Sequence, residues 1–107
     1  MAYGGFGGGN MQQLMKQAQA MQHKLQEAQQ ELADSEVTGS AAGGMVEVTL
    51  TGDKTPVSVS IKPEAVDPDD VEMLEDMVLA ALNDAMKQAD DLSKELLGPM
   101  GNAGGLF

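Results

Sequence analysis

The chain has 107 residues, no cysteine, nine methionines, one tyrosine, two phenylalanines and a formal charge of −11. That length accommodates one domain, and without cysteine there are neither disulfides nor thiolate metal sites. No run approaches the ~18 apolar residues of a membrane span, and the opening MAYGGFGGGN lacks the basic and apolar regions of a signal peptide, so a cytoplasmic protein is expected.

Residues 1–10 are mostly glycine and read as a flexible arm. From Met11 to Glu36 there is neither Gly nor Pro, and Met11, Leu14, Ala18, Met21, Leu25, Ala28, Leu32 and Ser35 step by alternating threes and fours. This is the seam of a long helix, with Asn10 as its expected N-cap. A Gln-rich remainder fits a solvated surface on a strong helix former. Gly39, Gly43 and Gly44 break the pattern, and a weak first strand is expected in Glu36–Ala42.

Alternation of period two follows: Val46, Val48 and Leu50 share one face of a strand over 45–51, and Val57, Val59 and Ile61 one face of a strand over 57–62. Gly52-Asp53-Lys54-Thr55-Pro56 supplies the turn of an antiparallel hairpin with one buried and one polar face. A second helix is predicted to open with Asp67 as N-cap and Pro68 in its first turn, Asp69, Asp70 and Glu72 favouring the positive end of its dipole. It closes at Gly98-Pro99, which leaves residues 11–97 as the folding domain and 98–107 as a second glycine-rich tail. The aromatic residues Tyr3, Phe6 and Phe107 all lie in the tails, so the core must be aliphatic, and its methionines favour adaptable helix packing.

At about 1.5 Å per residue these helices run roughly 39 and 45 Å, against about 23 Å for a seven-residue strand. Each helix must overhang the sheet. The stretch Met77-Val78-Leu79-Ala80-Ala81-Leu82 is apolar on every side, and one hairpin cannot cover it together with the first helix. A second copy of the chain is the expected cover, with Val78, Leu79, Ala81 and Leu82 in a homodimer interface.

Charge is unevenly distributed. Residues 1–26 hold Lys16, His23, Lys24 and no acid, whereas residues 64–76 hold seven acids and no base. A locally basic end on an acidic molecule makes Lys16 and Lys24 candidate phosphate contacts, joined by Lys87 and Lys94 if the second helix runs beside the first; their alternative is ordinary solvation. The acidic cluster is explained by helix-start electrostatics, and His23 has only Glu27 within reach on its own helix, so no metal or cofactor is expected. Serines 35, 40, 58, 60 and 93 have no local base, no phosphate loop follows a strand, and neither an enzyme nor a small-molecule substrate is expected.

The segments 9–22, Gly39-Ser40-Ala41-Ala42-Gly43-Gly44-Met45-Val46, Val57–Ile61, Asp69–Met77, and Ala81 with Asn83-Asp84-Ala85 resemble, in order, the YbaB/EbfC family of nucleoid-associated proteins. The resemblance covers residues 9–98. It implies an α+β fold in the order α-β-β-β-α, with a three-stranded antiparallel sheet and two long helices forming a tweezer-like homodimer. It also implies binding to double-stranded DNA in the nucleoid, with effects on DNA conformation and roles in nucleoid organisation, gene regulation or DNA protection. The chain has no arginine, so bidentate guanidinium contacts to guanine edges are unavailable and little sequence selectivity is expected. The net charge favours a different class of function: an acidic helical protein-interaction module in recombination, repair or transcription that does not itself touch DNA.

Overall fold

The computed structural model describes residues 2–98, with side chains from Asn10 onward. Helix α1 (Ala2–Asp34) leads into strand β1 (Glu36–Ala41), β2 (Val46–Thr51), β3 (Pro56–Ile61) and helix α2 (Val71–Leu97). The three strands form one antiparallel sheet in the order β1-β2-β3, giving the α-β-β-β-α arrangement expected of an α+β fold. The molecule is long and thin, 82 × 22 × 16 Å, because both helices outrun the strands.

Alternation decides the sheet faces. Gly39, Val48 and Val59 lie in register across the three strands, as do Ala41, Val46 and Ile61, and these side chains share the inner face. Thr38, Thr49 and Ser58 line up on the outer face, where the hydroxyls of Thr38 and Thr49 are 3.0 Å apart. Helix α2 lies across β1 and β2 on the inner side, burying Val46, Val48, Leu50, Ala65, Ala81 and Ala85 in one aliphatic core.

Gly39 is central to this packing. A Cβ there would stand 2.2 Å from the Ala81 carbonyl oxygen and 2.2 Å from the Ala85 amide nitrogen, so helix and strand meet backbone to backbone over the alanine stripe Ala81, Ala85, Ala89. Gly39, which ends the helical pattern in the sequence, lies inside the first strand expected over Glu36–Ala42 and pairs with Val48. Two polar bonds fasten the same edge: the Ser40 amide donates to Asp84 Oδ2 at 3.0 Å, and Gln88 Nε2 donates to the Thr38 carbonyl at 2.8 Å.

Both helix starts differ from the sequence expectation. Helix α1 begins at Ala2, so Asn10 lies inside it and the segment expected as an arm continues the helix from Ala2 on. Glycine weakens a helix without barring it, and residues 2–10 hold no proline to stop the ladder. Helix α2 is capped by Asp70, whose carboxylate accepts from the Met73 amide at 3.1 Å. Asp67 makes the preceding turn instead, its side chain accepting from the Asp69 amide and its carbonyl from the Asp70 amide. With several acids around one proline, pattern alone did not select among them. The end at Gly98 agrees, and the tail from Pro99 lies outside the described residues.

Candidate nucleic-acid interface

The base of α1 is fixed by Gly52 in the β2–β3 turn. Its amide donates to the carbonyls of Leu32 and Ser35 at 2.9 and 3.0 Å, and a Cβ there would stand 2.6 Å from the Leu32 oxygen. Leu32 is buried beside it. Moving outward, Leu25 and Ala28 are half-buried and share a recess with Leu96 and Leu97 of α2. Every residue from Asn10 to Lys24 is exposed. The heptad seam is therefore covered only at its inner end, and the rest of α1 projects as a single-helix prong.

Lys24 lines the recess that holds Leu96 and Leu97, so it and Lys94, within a turn of those leucines, belong to one end of the molecule. Lys16 lies two turns farther out on the exposed part of α1, and Lys87 lies two turns closer to the sheet along α2. All four ammonium side chains belong to exposed residues. His23 Nε2 meets Glu27 Oε1 at 2.7 Å, both side chains mostly exposed. Among the described residues no group of three His, Cys, Asp or Glu side chains is placed to hold a metal, and no helix is long and apolar enough to cross a membrane.

One ion pair eluded sequence reasoning: Lys54, at the hairpin turn, is bridged to Asp90 on α2. It sets one of the acids near Lys87 and Lys94 against a base. The pair spans 36 positions of chain and carries no local signal. In the same turn, Asp53 accepts from the hydroxyls of Thr51 and Thr55, and the Thr51 hydroxyl above all holds its carboxyl below the usual aspartate range.

The four residues expected at a dimer interface separate. Ala81 is fully buried against its own sheet, because it faces Gly39 and not the solvent side. Val78 and Leu82 are half-buried and Leu79 is 56% exposed. On the sheet, Val57, Val59 and Ile61 form the expected apolar face, yet all three are exposed, since α2 stops short of β3. Two open grooves result. One, of about 310 Å³, runs between Val57, Val59, Val78 and Leu82; the other, of about 450 Å³, lies between Ile61, Leu74, Val78, Leu79 and Leu82. Val78 and Leu82 line both, so they form one continuous apolar surface.

Residues 7–105 match the model of the YbaB/EbfC DNA-binding family. The chain is 51% identical over 109 residues to a nucleoid-associated protein of Agathobacter rectalis, covering 97% of this chain and 96% of that one. It is 48% identical over 113 residues to a nucleoid-associated protein of Acetivibrio thermocellus, covering both in full. Among solved structures it resembles an uncharacterized protein of Helicobacter pylori, with a TM-score of 0.71 and 26% identity over 83% of this chain and 94% of that chain. The chain belongs to the YbaB/EbfC DNA-binding family.

Proposed function

We propose that the protein is a homodimeric nucleoid-associated protein, acting in the cytoplasm, that grips the phosphate backbone of duplex DNA with its helical prongs. The observation that carries this reading is the acid-free outer part of α1, which stands clear of the acidic body and presents Lys16 and Lys24 to solvent. Lys87 and Lys94 of α2 add two exposed ammonium groups on the sheet side of that track, where Asp90, paired with Lys54, and Asp91 and Glu95 dilute their field. Ammonium groups without arginine give point-charge contacts to phosphate and no bidentate readout of guanine, so binding is weakly selective and architectural. This is not catalysis, and it requires no metal or cofactor.

The second copy is supported by the apolar grooves between β3 and α2. Val57, Val59, Ile61, Val78, Leu79 and Leu82 make a contiguous patch of the kind that marks a protein interface. An isologous contact there doubles the prongs and sets four outer lysines on one particle. Nucleoid association is the name carried by the relatives at about half identity.

A mobility-shift titration of the pure protein on duplex DNA at low and moderate salt tests the proposal. Retardation at low salt that weakens at moderate salt, on unrelated sequences alike, is expected. The charge of −11 favours a second reading, an interaction module without direct DNA contact. Its signature is no retardation even at low salt.

A further inference from the structure

With no cysteine in the chain, its nine methionine thioethers are the side chains most open to two-electron oxidation. Three of them crowd the outer part of α1: Met11, Met15 and Met21 are 63, 59 and 57% exposed. Met45 and Met77 are packed against the core. Met73 and Met86 sit on α2, which its buried alanines hold to the sheet.

The same stretch of α1 is also the least supported part of the fold. From Asn10 to Lys24 no residue is even half-buried, and the glycines that precede it are poor helix formers. A helix without tertiary packing survives on propensity alone, and segments of about 12–15 residues are marginal in water. A small loss of propensity there has a large effect on helix population.

We propose that Met11, Met15 and Met21 form an oxidation-sensitive site at which a peroxide-class oxidant unwinds the prong while leaving the body folded. The thioether sulfur attacks one oxygen of hydrogen peroxide; the S–O bond forms as the O–O bond breaks. Sulfur gives up two electrons, the departing hydroxide takes the remaining proton from the transferred oxygen, and water leaves. The sulfoxide turns a flexible apolar side chain into a polar, chiral one, and so removes the apolar contacts between side chains three and four residues apart that support an otherwise unpacked helix. Three such groups fall within three turns, Met11 and Met21 on the seam of the helix and Met15 beside it. Reduction reverses the change: methionine sulfoxide reductases return the thioether, the oxygen leaving as water while two thiols become a disulfide. None of this depends on DNA binding.

The test treats the full chain with dilute hydrogen peroxide and follows each methionine by peptide mass mapping, with far-UV circular dichroism and a urea melt in parallel. Met11, Met15 and Met21 should oxidise before Met45 and Met77, with rates differing on the order of tenfold. Helical signal worth roughly 12–15 residues should disappear, the urea midpoint should not move, and reductase with dithiothreitol should restore the signal. The triple variant Met11→Leu, Met15→Leu, Met21→Leu keeps strong helix formers at those positions and should hold its helical signal under the same treatment. Oxidation of Met45 and Met77 at the same rate, full helical signal after complete sulfoxidation of the three, or equal loss in the triple variant would each overturn the proposal.

Discussion

Gly39 is a point where a helix backbone meets the sheet backbone with no room for a side chain between them. The obstructing atoms at Gly39 are main-chain atoms of Ala81 and Ala85, which cannot rotate aside as a flexible side chain could. Gly39→Ala should lower unfolding stability by about 3 kcal/mol or more, read as an earlier urea midpoint. Gly43→Ala is the control: its φ is +66° but nothing stands within 4 Å, so only backbone strain of about 1 kcal/mol is expected. A second residue-scale expectation concerns Asp53. Its carboxyl is held below the usual aspartate range by the Thr51 hydroxyl, then by Thr55. A depressed folded pKa contributes stability above the unfolded value and loses it as pH falls through the folded one. The stability difference between the parent and Asp53→Asn should therefore be constant at neutral pH and shrink only in acid; a difference that persists unchanged through the acid range would contradict this. Neither residue's role could be read from sequence. Gly39 resembles any other turn glycine until the strand pairs through it, and Asp53 resembles any turn aspartate until the hydroxyls converge.

At the scale of elements, sequence reading went furthest where periodicity decides. The buried series Val46, Val48, Leu50 follows from alternation, whereas the heptad seam of α1 is covered only at Leu25, Ala28 and Leu32. Periodicity says which side of an element is apolar, but not what covers it. Val57, Val59 and Ile61 therefore read as core although α2 leaves them open, and Ala81 read as interface although Gly39 allows α2 to descend onto it. Boundaries failed for local reasons, with Asp67 and Asp70 competing to cap α2 and glycines misjudged as the end of α1. The acid-free stretch singles out the lysines of α1 as the proposed phosphate contacts, and both are exposed. Replacing Lys16 and Lys24 together by Gln removes four positive charges from a dimer and keeps good helix formers in place. Circular dichroism and the melting curve should be unchanged, while affinity for duplex DNA drops by at least about tenfold, or 1.4 kcal/mol, on every sequence tested. A double variant that binds as the parent does would move the contacts elsewhere.

For the molecule as a whole, the open side of the sheet and the acidic body define the problem that the proposed second copy would solve. Leu79, more than half exposed in one chain, can be changed to Asp with little effect on the protomer's own core. In the dimer the same carboxylate would be buried without a partner, at a cost of several kcal/mol. Sedimentation at micromolar concentration should give a dimer for the parent and a folded monomer for Leu79→Asp; a parent that stays monomeric would remove the shared groove. Dimerisation and DNA binding meet in one quantity, the salt dependence of affinity. Four lysines, two from each prong of the proposed dimer, should release about 0.9 counterion each, for a slope of log affinity against log salt of roughly −3.6, steeper where Lys87 and Lys94 also reach phosphate. The acidic body opposes approach at long range and is screened within about 8 Å at physiological salt. The decisive measurement is that slope, taken on two unrelated duplexes over a range of salt. Equal slopes near or steeper than this value on both duplexes are predicted; a flat dependence, or no binding at low salt, would contradict the account.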